Sequence, residues 1–188
     1  MYTAYTKECT PYTESMARLD HQAIVDAALE LADDVGLEAV SLRNIADLLR
    51  VTPMALYRHV ENKDALLDAM ADELYADVVP RRHTGDWWDE LAAIARATRT
   101  LLLAHPWAVP LFGRPLAGPH GEAVARALES NLRDAGFSKA EAAELHDQLS
   151  NLVFALVAPE LHGKRNRAAF ERGLELLHAG LEARLRQQ

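Results

Sequence analysis

Apolar residues recur every three or four positions along most of the chain, which is the spacing of amphipathic helices and not of strands. In the first half, this pattern predicts a helix that begins after Asp20 and ends at Gly36, a second helix behind Ser41, and a longer one behind Asn62. Further along, it predicts four more helices, at about residues 86–104, 119–135, 138–157 and 166–186. The chain is therefore expected to be all-α.

The stretch VTPMALYRHVENKDALLDAM, residues 51–70, contains a third helix that is barely two turns long. We expect Thr52 to cap this helix, Pro53 to occupy its first position and His59 to end it, with Leu56 facing the core. A helix this short is not stable alone, so neighbouring helices must hold it. An aromatic ring, a guanidinium and an imidazole follow one another on its outer face, which indicates that this face meets a partner.

Composition and charge narrow the choice of partner. The 188 residues carry a net charge of −8, and residues 16–64 carry five basic against nine acidic side chains. Attraction to a polyanion must therefore be local. The lone Cys9 argues against a disulfide framework, no apolar run approaches the ~18 residues of a membrane span, and the N-terminus lacks the layout of a signal peptide. A cytoplasmic protein without a membrane partner is expected.

Short helices joined by a tight turn and followed by a longer one are typical of a helix-turn-helix head. The segment AALELADDVGLEAVSLRNIADLLRVTPMALYRHVENKDALLDAM resembles the DNA-binding domain of the tetracycline-repressor (TetR) family over about residues 20–75. The segments DWWDELAAIARATRTLLLAHP, LRDAGFS and FERGLELLHAGLEARL resemble the C-terminal domain of tetracycline-repressor-like members. This resemblance implies a homodimer that binds double-stranded DNA and releases it when a small molecule enters the C-terminal domain.

The domain organisation follows from the helices and from this resemblance. We expect a disordered tail at residues 1–17, with Met16 as an alternative start, a helix-turn-helix domain at 18–64 and a connecting helix at 65–79. An effector-binding and dimerisation domain is expected at 80–188. The last two helices carry more apolar surface than one side of a lone helix needs. This indicates either a four-helix bundle across a dimer axis or completion of the monomer core.

The predicted DNA contacts lie on the second, third and fourth helices. Arg58 is expected to pair with guanine or phosphate, Lys63 to hold a phosphate at the start of the fourth helix, and Arg43 to contact DNA from the second helix. Met54 and Ala55 are expected to touch thymine methyl groups. The complete set is Arg43, Thr52, Pro53, Met54, Ala55, Tyr57, Arg58, His59 and Lys63.

The predicted effector site is a stripe of mostly apolar residues, and no metal or cofactor is expected in it. It comprises Ile94, Thr98, Leu102, Trp107, Phe112, Leu128 and His146. Tetracycline-binding members bring an Asn, a Phe and a magnesium-coordinating His to this cavity, where the resemblance places Ile94, Thr98 and Phe112. An apolar or aromatic effector is therefore expected in place of tetracycline–magnesium.

Other functions have weaker support. The chain lacks GxSxG, HExxH, P-loop and Rossmann motifs, so an enzyme that processes small molecules is the least favoured reading. A helical interaction module without DNA binding is the other alternative, because the head is acidic and Arg50 stands where the family usually has Gly. A positive φ at Arg50 is expected to cost about 1 kcal/mol. The favoured function is a ligand-responsive repressor that binds a pseudo-palindromic operator.

Overall fold

The computed structural model describes residues 19–78, 85–112, 114, 118–163 and 166–187. Within them the chain forms eight α-helices: α1 His21–Val35, α2 Leu42–Leu48, α3 Pro53–Leu56, α4 Lys63–Tyr75, α5 Trp87–Ala104, α6 Pro119–Ala135, α7 Lys139–Leu161 and α8 Arg167–Leu185. Two 3₁₀ helices, Leu37–Ala39 and Pro106–Leu111, lie between them. No strand occurs in these ranges, and the predicted all-α class is confirmed.

Three predicted N-caps are confirmed by hydrogen bonds. The side chains of Asp20, Ser41 and Asn62 each accept the backbone N–H three residues further on, at 2.9, 3.1 and 2.8 Å. Each bond satisfies one of the N–H groups that a helix leaves without a partner at its start. Thr52 differs, because it occupies the N-cap position of α3 but its side chain accepts no hydrogen bond from the helix.

Three predicted helix ends are wrong. The short third helix ends at Leu56 instead of His59, because the Leu56 carbonyl accepts N–H groups from both His59 and Val60 at 2.9 Å, which closes the last turn. The fourth helix ends at Tyr75, and Val78 follows in a turn whose N–H bonds Tyr75. The seventh helix continues past residue 157 to Leu161, with Pro159 inside it.

One core holds the first four helices together. Ile24, Ile45, Leu56 and Leu66, one from each of α1 to α4, are fully buried. Because α3 contributes a single buried side chain, its position is fixed by the helices around it. The predicted tail at residues 1–17 and the predicted boundary at residue 80 lie outside the described residues, so the domain limits stay predictions.

The helices after α4 pack around α5 and carry ion pairs between them. Arg99 on α5 forms two hydrogen bonds of 2.7 Å with the buried Glu160 on α7, and its guanidinium lies 5.5 Å from the Phe170 ring centroid. Arg96, one turn earlier, bonds Glu171 on α8. These contacts hold α7 and α8 against α5.

Two contacts join the head to the rest of the molecule. Asp72 on α4 accepts the backbone N–H groups of His120 and Gly121 at 3.0 and 2.8 Å, so a side chain of α4 caps the first turn of α6. Asp33 near the end of α1 accepts the Trp107 Nε1–H at 2.6 Å and lies 2.6 Å from His105 Nδ1. The head therefore contacts both α6 and the 3₁₀ helix that follows α5.

Candidate DNA-binding face and effector cavity

The outer face of α3 is exposed to solvent. Met54 is 71% exposed and Tyr57 is 53% exposed, while Leu56 between them is fully buried. Arg58 and His59 are exposed in the turn after α3. Large apolar groups left in solvent beside a guanidinium suit contact with thymine methyl groups and guanine or phosphate acceptors.

The remaining predicted contacts border this face. Arg43, Thr52, Pro53 and Lys63 are exposed, and Ala55 is half-buried. Lys63 is the first residue of α4, where the helix N-terminus and the ammonium attract the same anion. These nine residues stay predicted DNA contacts, and we call them the DNA-binding face.

The turn between α2 and α3 contains Arg50 at φ 55°, so the expected left-handed conformation is found. The next residue, Val51, donates its N–H to the Ala46 carbonyl at 2.9 Å, which ties the turn back onto α2. Arg50 is exposed, so its charge adds to the basic residues around the DNA-binding face. Arg50 thus combines an unfavourable backbone conformation with an additional positive charge.

A cavity of about 570 Å³ lies between α5, α6 and α7, which is within the usual size range of ligand sites. Five of the seven predicted effector residues line it: Ile94, Thr98, Phe112, Leu128 and His146. On the α7 side the wall becomes polar, with His146, Asp147, Ser150 and Asn151. The cavity is thus mainly apolar with a polar margin.

Two of the predicted effector residues do not line this cavity. Leu102 is fully buried in the core and does not reach the cavity wall. Trp107 does not line the cavity either, because its indole N–H is bonded to Asp33 on α1. Both residues follow the apolar pattern of their segments, and that pattern does not distinguish a core position from a cavity wall.

Three residues of the wall were not among those predicted from the sequence: Tyr75, Arg114 and Phe154. The rings of Tyr75 and Phe112 meet edge to face with centroids 4.9 Å apart, and those of Phe112 and Phe154 do so at 5.4 Å. Burial raises the pKa of the Tyr75 hydroxyl, so Tyr75 stays neutral near pH 7. We call the rings of Tyr75, Phe112 and Phe154 the aromatic wall.

The cavity also contacts the helix that leads to the head. Tyr75 is the last residue of α4, and Arg114 bonds two carboxylates of α4: its Nε donates to Asp68 at 2.5 Å and its Nη2 lies 3.4 Å from Asp64. The bond to Asp68 raises the pKa of Arg114, which is a cation at any working pH. Among the described residues, no group of three His, Cys, Asp or Glu side chains is placed to hold a metal ion.

A helix-turn-helix head joined by one helix to a helical domain with an internal cavity is the architecture of a transcriptional regulator. Residues 24–70 match the family of bacterial regulatory proteins of the tetR type, and residues 79–168 match the tetracyclin repressor-like C-terminal domain. The chain belongs to the TetR family of transcriptional regulators.

Its relatives include an HTH-type transcriptional regulator of Saccharopolyspora erythraea, 37% identical over 76% of this chain but only 61% of that protein. The class A tetracycline repressor from transposon 1721 of Escherichia coli is 33% identical over 91% of this chain and 80% of its own length. Among solved structures, Streptomyces coelicolor ActR in complex with actinorhodin has a TM-score of 0.78 at 29% identity, covering 89% and 98% of the two chains. BioQ with its double-stranded DNA operator has a TM-score of 0.76 at 30% identity, covering 88% and 99%.

No helix in the described part of the chain is both long enough and apolar enough to span a membrane.

Proposed function

We propose that this regulator is a repressor that binds a pseudo-palindromic operator as a homodimer and is released by a small apolar or aromatic effector. The DNA-binding part rests chiefly on one observation, the exposed Met54 and Tyr57 beside a fully buried Leu56 on α3. Solvent exposure of these apolar groups is explained if the major groove covers them. The neighbour BioQ, whose structure contains its DNA operator, supports this reading.

The effector part rests on the cavity between α5, α6 and α7. Its apolar walls and aromatic rings suit a ligand with large apolar surface, and the neighbour ActR was solved with actinorhodin bound. Because the cavity contacts α4, a ligand that moves α4 changes the position of the head. A dimer reads half-sites one DNA turn apart, ~34–36 Å, so a small change in the separation of the two heads weakens binding.

The homodimer is supported by two leucines in solvent on the last helices. Leu152 on α7 is 45% exposed and Leu176 on α8 is 76% exposed. A pair of such helices from each of two chains forms a four-helix bundle, which buries these side chains.

The test is a binding titration with labelled DNA that flanks the gene of this protein. We expect ligand-free protein to bind a short pseudo-palindromic segment in a two-to-one ratio, with an affinity that falls steeply as salt rises. Compounds that raise the melting temperature are then added to the complex. Absence of DNA binding would favour the interaction-module alternative, and ligands that stabilise the protein without weakening DNA binding would refute release by an effector.

A further inference from the structure

Arg114 lines the cavity and also forms ion pairs with α4. Its side chain is 25% exposed, and its guanidinium reaches Asp68 and Asp64 on the first two turns of α4. These are the turns next to Lys63, which is predicted to hold a DNA phosphate. A ligand that engages Arg114 from the cavity therefore acts on the part of α4 nearest the DNA.

The carboxylates that hold Arg114 can be displaced. Asp64 has an 82% exposed side chain and Asp68 a 38% exposed one, and ion pairs with such exposed partners contribute little to stability. A carboxylate inside the cavity meets the same guanidinium in a less polar setting, where paired charged hydrogen bonds are stronger. Because Asp68 and Asp64 share this one cation, a carboxylate from the cavity competes with both of them for it.

The rest of the cavity determines the other half of the ligand. The aromatic wall, formed by Tyr75, Phe112 and Phe154, presents rings at angles that favour edge-to-face contact with a further aromatic ring. A volume of about 570 Å³ exceeds what a single ring needs. The acidic residue among those that line the cavity is Asp147 on α7, which is exposed.

We propose that the effector is a multi-ring aromatic carboxylic acid whose carboxylate binds Arg114 in place of the α4 aspartates, while its rings pack on the aromatic wall. This inference rests on the proposed function, because it names the ligand class and the switch of the same cavity. Loss of the bonds from Arg114 to Asp68 and Asp64 removes a link between the cavity wall and α4, so that α4 and the head packed on it shift from the position that fits the operator.

The experiment compares two fluorescent probes with the same rings, anthracene-2-carboxylate and anthracene-2-carboxamide, on the full chain. We expect the acid to bind at least about tenfold more tightly than the amide, because a hydrogen bond between charged groups contributes more than a neutral one. In Arg114→Gln this preference should vanish. In Asp68→Asn the acid should bind more tightly and the amide unchanged, because one competitor for Arg114 is gone.

Arg96→Gln is the matched control, since Arg96 is paired with Glu171 away from the cavity and its loss should leave the preference intact. Equal binding of the two probes, binding of neither, or an acid preference that survives Arg114→Gln would each overturn the proposal. If Arg114→Gln does not fold, Asp68→Asn decides: no gain for the acid, or an equal gain for both probes, overturns it.

The same samples with labelled operator DNA separate this inference from the proposed function. We expect the acid, and not the amide, to release the DNA at concentrations that saturate the acid site. DNA that is released only by neutral compounds would leave the repressor function standing and overturn the carboxylate site. Protein that binds no DNA, but still prefers the acid through Arg114, would overturn the repressor function and keep the ligand site.

Discussion

On α3, one side chain packs and its neighbours stay in solvent. Leu56 is fully buried, whereas Tyr57 is 53% exposed and Arg58 is exposed. Removing Tyr57 and Arg58 therefore leaves no cavity in the core, so the free energy of unfolding should hardly change.

The double variant Tyr57→Ala, Arg58→Ala should lose operator binding while it keeps its fold. We expect a loss of about 2 kcal/mol or more, at least about thirtyfold in Kd, because DNA contacts are worth about 1–3 kcal/mol each. Fluorescence anisotropy with operator DNA measures the affinity, and urea unfolding measures the stability. Arg133→Ala, which removes an equal charge from the exposed last turn of α6, is the control. Wild-type affinity in the double variant would refute the DNA-binding face.

Arg50 holds a left-handed conformation at φ 55°, which a Cβ atom disfavours. Arg50→Gly should therefore be more stable than Arg50→Ala by about 1 kcal/mol, the reverse of the ranking expected in a helix. Chemical unfolding of the two variants tests this. Both should lose the same amount of DNA affinity relative to wild type if the side chain serves as a charge at the DNA. Equal stabilities would show that the turn relaxes to a negative φ.

At the scale of elements, α4 and α6 are joined by a capping bond between helices. Asp72 accepts two N–H groups of the first turn of α6, and a Cβ on Gly118 would overlap the Asp72 carboxyl group. A methyl group at this position would force the Asp72 carboxylate to move and would weaken its bonds to α6. A charge at a helix N-terminus adds to the hydrogen bonds themselves.

Asp72→Ala should lower the free energy of unfolding by about 1–2 kcal/mol, since it removes the cap and its charge together. Asp72→Asn keeps an acceptor and should cost less. Gly118→Ala should destabilise as well, because the added methyl group displaces the Asp72 carboxylate. Thermal and urea unfolding of the three variants give the order. An Asp72→Ala variant as stable as wild type would show that water caps α6 equally well.

The bond from Trp107 to Asp33 joins the 3₁₀ helix Pro106–Leu111 to α1. Trp107→Phe keeps a ring but removes the N–H donor. Since Trp107 does not line the cavity, we expect effector affinity to stay unchanged while the effect of the ligand on DNA affinity falls. Phe112→Leu lies on the cavity wall and should weaken effector binding instead. Titrations of ligand with and without DNA distinguish the two outcomes, and a Trp107→Phe variant with wild-type coupling would contradict this role.

At the scale of the whole molecule, the proposed dimer depends on α7 and α8. Leu152→Glu together with Leu176→Glu places charges at two exposed positions, so the monomer should fold normally, but a dimer that buries them should dissociate. Light scattering coupled to size-exclusion chromatography measures the mass, and circular dichroism checks the helices. We expect a monomer of about half the mass of the wild-type particle, with little operator binding. A variant that stays dimeric would place the interface elsewhere.

Most of the helices are predictable from the sequence alone, because their signals are local. Asp20, Ser41 and Asn62 precede apolar residues at helical spacing, and such caps act within one turn. The family resemblance likewise rests on contiguous segments, chiefly residues 20–75. The ends of α3 and α4 were predicted wrongly. The final turns of a helix depend on i→i+3 bonds, which residue type does not specify.

The tertiary structure decided which apolar positions form the cavity. Ile94 and Leu102 lie on the same helix with similar side chains and both are buried, but only Ile94 also lines the cavity. Arg114 and Tyr75 line the cavity because segments distant in sequence meet there. Trp107 does not line it, and its indole N–H is bonded to Asp33 instead. The apolar period predicts which side chains face the interior. Only the packing of the helices against one another determines whether such a side chain contacts a neighbour or borders a cavity.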